Sequence, residues 1–532
     1  MIRGQLLDWL RLQGMMAMDL FFLGARWAWH TLGQGWRLGL CWVACAWVGP
    51  VLAQSVAAPR VPGLVQQALA QAKVPLSALS VVVSPLPAAG AAQVPSTHRL
   101  SYLADEPRNP ASVMKLVTTY AGLSLLGPEH VWLNRVYTLG TVHDGVLQGH
   151  LVVRGSGDPK LVVERLQALL AQVKAMGVRE IRGDIILDRS VFDVVARSVD
   201  FDEEPLRPYN VHPDGLLLNF KAVIYSFRPD PAAGVAHVSH VPPLAGFEVP
   251  ARVPLAPGPC NDWRGLLRAD FGQRQAARFA GTYPASCGER SWPVAFAHPE
   301  HYAPQLIAAL WQEAGGVLTG QVRYGSKPAA ARLLLEAPSL PLSSVIADIN
   351  KFSNNVMAQQ LFLTLSSELG SPGRFVASRL RVLRWWRENW PEQALPVLDN
   401  GSGLSRSERS TAQALTALLH TASTGTHAAP FWASLSVAGM DGTTVRMRER
   451  LPHSPVMGQA WLKTGSLRDV AAVAGYVKGQ SGQHYSVVAI INHPNAAQAR
   501  PALDHLLEWT HQDLSPLQTV QSRAPARRRP SQ

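Results

Sequence analysis

A chain of 532 residues with 47% hydrophobic and 16% charged side chains has enough apolar material for two or three cores, which excludes disorder as its main state. Part of the net charge of +12 sits near the two ends, on Arg3, Arg11, Arg26 and Arg37 and again on Arg523, Arg527, Arg528 and Arg529. The remainder is spread without a Lys/Arg stripe or a nucleic-acid motif, so no nucleic-acid partner is expected.

Residues 1–53 read as a signal peptide. A basic residue, Arg37, precedes an apolar core from 38 to 48, followed by Gly49-Pro50 and small residues, with cleavage expected after Ala53. That core is too short to cross a bilayer, although a second apolar patch at 15–29 leaves an uncleaved anchor as the alternative. Translation could also start at Met15, Met16 or Met18. Cys41 and Cys45 fall in the signal, so Cys260 and Cys287 are the pair left in an exported chain and are expected to form one disulfide, two buried thiols being the alternative. Neither Cys-x-x-Cys nor His-Glu-x-x-His occurs, and no metal or cofactor is expected.

A helix is expected over 63–72 and a β-branched strand over 79–86, with 100–104 as its hairpin partner. A helix over 109–126 follows, capped by Asn109, opened by Pro110 and stopped by Gly127-Pro128. It carries Ser112 and Lys115 three residues apart, on one face and within reach of each other. A hydroxyl beside an amine is a nucleophile beside a base, and an early helical N–H, here that of Ser112, can serve an oxyanion unless the Asn109 cap takes it. The chain has nine lysines, and only Lys115 follows a serine at this spacing.

From 137 to 337 the pattern changes to short strands and Pro/Gly turns, with strands expected at 151–154, 184–187, 216–220 and 222–227 and a helix at 162–176. Helical periodicity returns at 343–351, 356–367 and 375–389. Ser353-Asn354-Asn355 sits in the first break, well placed to face a cleft, and Trp385, Trp386 and Trp390 read as core and rim packing. A turn cluster, Asp399 to Leu404, precedes a helix at 411–421. Strands at 460–463, 471–477 and 485–492 make an antiparallel sheet, with Lys463-Thr464-Gly465 at the end of the first, and a helix at 496–510 closes the domain. The tail 514–532 has no core-forming residues and is expected to be disordered and basic.

Ser-x-x-Lys, Ser-x-Asn and Lys-Thr-Gly, in that order, form a known set of β-lactamases and penicillin-binding proteins. The order and spacing resemble the low-molecular-weight class C penicillin-binding proteins, the D-alanyl-D-alanine carboxypeptidase/endopeptidase family that includes penicillin-binding protein 4. Gly155 to Pro159 is similar to that family's Gly-Asp-Pro turn, and Asp399 to Leu404 to its Asp-Gly-Ser-Gly-Leu segment, with Asn400 standing between Asp399 and Gly401. The resemblance implies a mixed α/β transpeptidase-like fold, an antiparallel sheet flanked by helices, split into 54–136 and 338–513 by a β-rich insertion at 137–337. It also implies penicillin-sensitive cleavage of peptidoglycan stem peptides and cross-links in the periplasm, where a basic protein suits an anionic wall and an arginine tail suits loose membrane association.

On that resemblance, Ser112 attacks and Lys115 takes its proton. Ser353 and Lys463 pass a proton to the leaving amine, and Asn355 holds the acyl side. Thr464, Gly465 and Ser466 line the substrate-carboxylate side with the Lys463 charge, and the Ser112 and Ser466 N–H groups form the oxyanion pair. The alternatives are a non-catalytic peptidoglycan-binding protein and a serine β-lactamase, which would need a group to activate the deacylating water; an esterase on this scaffold would usually carry tyrosine at Ser353. Asp200, Asp202, Glu203 and Glu204 form an acidic cluster that could pair with a stem-peptide ammonium, with Glu204 favoured; a solvated loop is the other reading.

Overall fold

The computed structural model describes residues 61–87, 98–194 and 201–514. The expected signal peptide, nearly all of the basic tail and Asp200 lie outside the described residues. Among the described residues no helix is long and apolar enough to cross a membrane.

Strands whose side chains are apolar on both faces must be covered on both faces. The three late strands, Ala460–Leu467, Val470–Lys478 and His484–Asn492, pair in series and antiparallel, with Lys463 opposite Ala474 and Val473 opposite Ala489. Leu79–Pro85 adds to the last of them, Val81 opposite Ala489, and Leu100–Tyr102 pairs with Leu79–Pro85, as the hairpin reading required. The first and last parts of the chain thus share one six-stranded sheet, whose other edge is Ser436–Val437. Val82, Val488 and Ile490 face the core under the helices Lys115–Leu126 and Asn355–Ser367. Val81, Val83, Ala489 and Ile491 face the core under Gly63–Gln71 and Arg500–His511. Trp385, Trp386 and Trp390 are buried with rings in mutual contact, and pack the core as read.

Several expected boundaries are corrected. The strand expected to end at Lys463 runs on to Leu467, because Thr464 to Leu467 keep pairing with Val473 to Val470 although Thr-Gly-Ser reads locally as a turn. The helix expected from Pro110 opens instead as a 3-10 turn, Ala111–Met114, before Lys115–Leu126; Asn109 Oδ1 accepts the Ala111 N–H, and Ala111 is held at φ 46°. The closing helix begins at Arg500 rather than 496, because His493 to Ala499 make hydrogen-bonded turns first. No strand forms at 216–220: Leu216 and Leu218 are buried, but Asn219, Phe220 and Lys221 all take positive φ, and the buried Lys221 ammonium turns back to Asp214 Oδ2 at 2.8 Å.

Between the two parts of the main sheet, Leu133–His143 pairs with Arg332–Pro338, Leu133 opposite Pro338, so the chain leaves and returns side by side. These strands belong to a seven-stranded sheet covered by Val163–Ala175 and Pro299–Glu313, whose Leu166, Leu170, Leu306, Leu310 and Trp311 share its core. A five-stranded sheet is built around Ala222–Asp230, and nearby Cys260 is disulfide-bonded to Cys287. Gln360 Nε2 donates to the Gly157 and Asp214 carbonyls, tying this segment to the helix Asn355–Ser367.

Candidate active site

The 3-10 turn that carries Ser112 lies against the strand Ala460–Leu467, and the approach is close enough to require a glycine there. A Cβ on Gly465 would stand 2.4 Å from the Pro110 carbonyl oxygen. On the other side Gly403, at φ 78°, packs where a Cβ would stand 2.0 Å from the Ala111 carbonyl oxygen and 2.7 Å from the Ser112 nitrogen. The Asn109 side chain fixes the turn from within, since its amide nitrogen donates to the Ser405 carbonyl while its oxygen takes the Ala111 N–H. The cap therefore claims Ala111 rather than Ser112, and the Ser112 N–H is not consumed by it.

Lys115 Nζ stands 3.0 Å from Ser112 Oγ, 2.6 Å from Asn355 Oδ1 and 2.5 Å from the Ser402 carbonyl. The amine is fully buried; burial first and the Lys463 charge second hold its pKa well below the usual lysine value, against a smaller opposing pull from Glu408. Nearly the same description fits Lys463. It is fully buried, its Nζ donates to Ser353 Oγ at 2.9 Å and to the Thr464 carbonyl at 2.8 Å, and burial pushes its pKa down to about 7. Two ammonium groups sharing one dry site disfavour each other, so loss of a proton from Lys115 is eased while Lys463 keeps its own.

Ser353 ends the helix Leu342–Phe352 in the left-handed region, at φ 57°, and the chain reverses there. Asn354 caps the next helix by accepting the Met357 N–H at 3.1 Å, which frees Asn355 to point at Lys115 while its amide nitrogen donates to the Tyr209 carbonyl. The three residues of the triplet thus do different jobs. Beyond Leu462 the strand Ala460–Leu467 has no strand partner on its outer side among the described residues, because Ser436–Val437 pairs only with Leu462 and Trp461. An extended peptide can add to that open edge through its main chain. Thr464 Oγ1 lies 2.8 Å from Thr443 Oγ1, and Ser466 Oγ accepts from Arg500 Nη2 at 2.7 Å.

The structure thus brings Ser112, Lys115, Ser353, Asn355, Lys463, Thr464, Gly465 and Ser466 together at the junction of the Ser112 turn, the Ser353 loop and the Lys463 strand. It also brings in groups that the sequence did not single out. Ser402 contributes a carbonyl from the turn cluster to which no chemical role was attached. Glu408, fully buried, accepts the Asp399, Asn400 and Gly401 N–H groups on one oxygen and so holds that turn, burial raising its pKa. The turn was visible as Asn400-Gly401-Ser402-Gly403; a contact made by a main-chain carbonyl leaves no side-chain signature.

The sequence profile of the D-Ala-D-Ala carboxypeptidase 3 (S13) family matches residues 65–512. A D-alanyl-D-alanine carboxypeptidase from Actinomadura sp. (strain R39) is 30% identical over 73% of this chain and 74% of its own. The D-alanyl-D-alanine carboxypeptidase DacB of Haemophilus influenzae is 25% identical over 72% of this chain and 80% of its own. Crystal structures of penicillin binding protein 4 from Haemophilus influenzae, one of them complexed with a β-lactam, superpose with TM-scores of 0.67 and 0.63. Each covers 83% of this chain and 99% of the other, at 22% and 21% identity, and so establishes a shared fold.

Proposed function

The chain belongs to the D-Ala-D-Ala carboxypeptidase 3 (S13) family and is a serine-type D-Ala-D-Ala carboxypeptidase with the fold of penicillin-binding protein 4, and from that premise we propose that it cleaves both terminal D-Ala and peptidoglycan cross-links through an acyl-enzyme on Ser112. Lys115 removes the Ser112 proton as the hydroxyl attacks the D-Ala carbonyl. Ser353 hands a proton from Lys463 to the departing amine, and Asn355 holds the acyl side while keeping Lys115 aimed. The open edge at Thr464, Gly465 and Ser466 receives the substrate in extended form, with the Ser466 and Ser112 N–H groups on the oxyanion. Water then releases the acyl group by the same path. The observation that carries this reading is the pairing of two buried lysines with two serines, Lys115 with Ser112 at 3.0 Å and Lys463 with Ser353 at 2.9 Å.

In the same proposal the site is built by 54–136 and 338–513, with 137–337 an insertion that walls the cleft. The protein acts in the periplasm after cleavage at Ala53, and its basic tail 514–532 allows loose membrane association. β-Lactams inhibit it by acylating Ser112; a relative of the same fold has been crystallised with one. Intact-mass analysis after treatment with benzylpenicillin should give one stable adduct, absent in Ser112→Ala, with negligible nitrocefin turnover. Lys115→Ala should slow acylation by about 10²- to 10⁴-fold while leaving the fold intact. An adduct that persists in Ser112→Ala removes the assignment.

A further inference from the structure

Arg500 is the first residue of a twelve-residue helix, Arg500–His511, and its guanidinium reaches the strand that carries Lys463. That position is electrostatically wrong for a cation in three ways. The helix macrodipole places partial positive charge at its N-terminus. Asp504, the buried carboxylate one turn along, is already held by Arg450, whose Nε and Nη2 donate to its two oxygens at 2.9 and 3.0 Å. Arg500 Nε is itself buried and has no hydrogen-bond acceptor among the described residues. Burial, with repulsion from Arg450 and Arg446, pushes the Arg500 pKa down to about 10 against the pull of Asp504. A buried charged donor left unmatched is costly, and an anion that completes it would remove that cost.

The contact that Arg500 does make says which anion. Its Nη2 donates to Ser466 Oγ at 2.7 Å, so the Ser466 hydroxyl proton is turned away from Arg500. We propose that Arg500 is a specificity-determining residue that, with the Ser466 and Thr464 hydroxyls, binds the carboxylate carried on the carbon next to the leaving nitrogen. The inference rests on the function proposed above. In terminal cleavage that carboxylate belongs to the departing D-Ala; in cross-link cleavage it is the α-carboxylate of the amino acid whose amine departs. A penicillin presents its own carboxylate beside the lactam nitrogen. All three are anions at one distance from the bond that breaks, so one guanidinium serves all three. Lys463 cannot do this alone over the working range, since it loses its charge near neutrality while a guanidinium does not.

The test compares benzylpenicillin with its methyl ester, which lacks the anion, by second-order acylation constants read from intact mass. Arg500→Gln should lower the benzylpenicillin constant by about 10- to 100-fold and the ester constant by less than about threefold, with Arg500→Lys falling between wild type and Arg500→Gln for the acid. Equal losses on the two compounds, the signature of a purely structural clamp between helix and strand, overturn the inference, as does no loss on either. A measurement on the unaltered protein guards against variants that do not fold: the preference for acid over ester should survive at pH 9, where Lys463 is neutral. A ratio collapsing to unity there assigns the recognition to Lys463 and overturns the proposal. Wild-type protein that forms no adduct at Ser112 removes the parent function, an outcome distinct from an adduct whose acid-over-ester ratio ignores Arg500.

Discussion

In the proposed chemistry two lysines, each fully buried, handle the protons. The proposed chemistry needs Lys115 neutral and Lys463 charged. Their environments favour that division, since Lys115 is lowered by burial and additionally by the Lys463 charge, whereas burial alone accounts for Lys463. The sign for pH dependence follows. As pH rises, Lys115 loses its proton and activity grows; as pH passes about 7, Lys463 loses its own and activity falls. The kcat/KM profile for D-Ala release should therefore have its alkaline limb near neutrality; Lys463→Arg, whose guanidinium keeps its proton, should lower the rate at every pH and show no limb there. A limb that stays near pH 7 in Lys463→Arg would mean that another group titrates. The side chains of this arrangement were legible because each carries a motif letter at a fixed spacing. Glu408 and Arg500 were not, since Glu408 acts by gathering three main-chain N–H groups of a turn and Arg500 through one contact with a hydroxyl 34 residues away in sequence.

At the scale of elements, the site depends on three backbones meeting: the Ser112 turn, the Gly401–Gly403 turn and the Lys463 strand. Glycines at the two contacts set the separation. A methyl group at 465 would stand 2.4 Å from the Pro110 carbonyl, a backbone atom that cannot rotate away, so Gly465→Ala must push the strand outward. Displacing a reacting group by about 1 Å can cost about 10²-fold, and Gly465→Ala should lose at least that much in benzylpenicillin acylation while its far-UV circular dichroism stays unchanged. Wild-type acylation by Gly465→Ala would show that the turn and the strand need not approach this closely. Local pattern was enough for most of the helices, whose apolar spacing marks them, though not for Pro299–Glu313 or for the starts at Lys115 and Arg500, and it was enough for the hydrophobic runs of the late strands. It was not enough at Thr464 to Leu467, where pairing with Val470 to Val473 overrides the turn character of Thr-Gly-Ser, nor at 216–220, where a buried Lys221–Asp214 pair bends an apolar run. The pairing of Leu79–Pro85 with His484–Asn492 joins residues some four hundred apart, and no local signal encodes that.

For the molecule as a whole, the acidic turn expected to meet the substrate is tied to the cleft through short links. Asn355 Nδ2 donates to the Tyr209 carbonyl, and the neighbouring Asn210 side chain donates to the Phe201 and Glu204 carbonyls at 2.8 Å each. The turn is thereby held next to Asn355 by the chain outside the main sheet. Its carboxylates differ in how far they are already balanced. Among the described residues Glu204 faces Arg207 one to one at 3.3 Å, whereas Asp202 shares Arg406 with Asp469, two carboxylates on one guanidinium. The trio of Asp202, Asp469 and Arg406 keeps an excess negative charge, and a stem-peptide ammonium would complete it. The preference expected for Glu204 therefore passes to Asp202. Asp202→Asn should lower kcat/KM for stems with a free side-chain amine by about tenfold, Glu204→Gln by less, and both should leave amine-acylated stems nearly unaffected. The comparison of free and acylated stems separates recognition from damage, because a disturbed turn would pull on Tyr209 and Asn355 and slow both substrates alike. Equal loss on the two, or none on either, would remove the acidic turn from substrate recognition and leave its carboxylates as the ion-paired partners of Arg406 and Arg207.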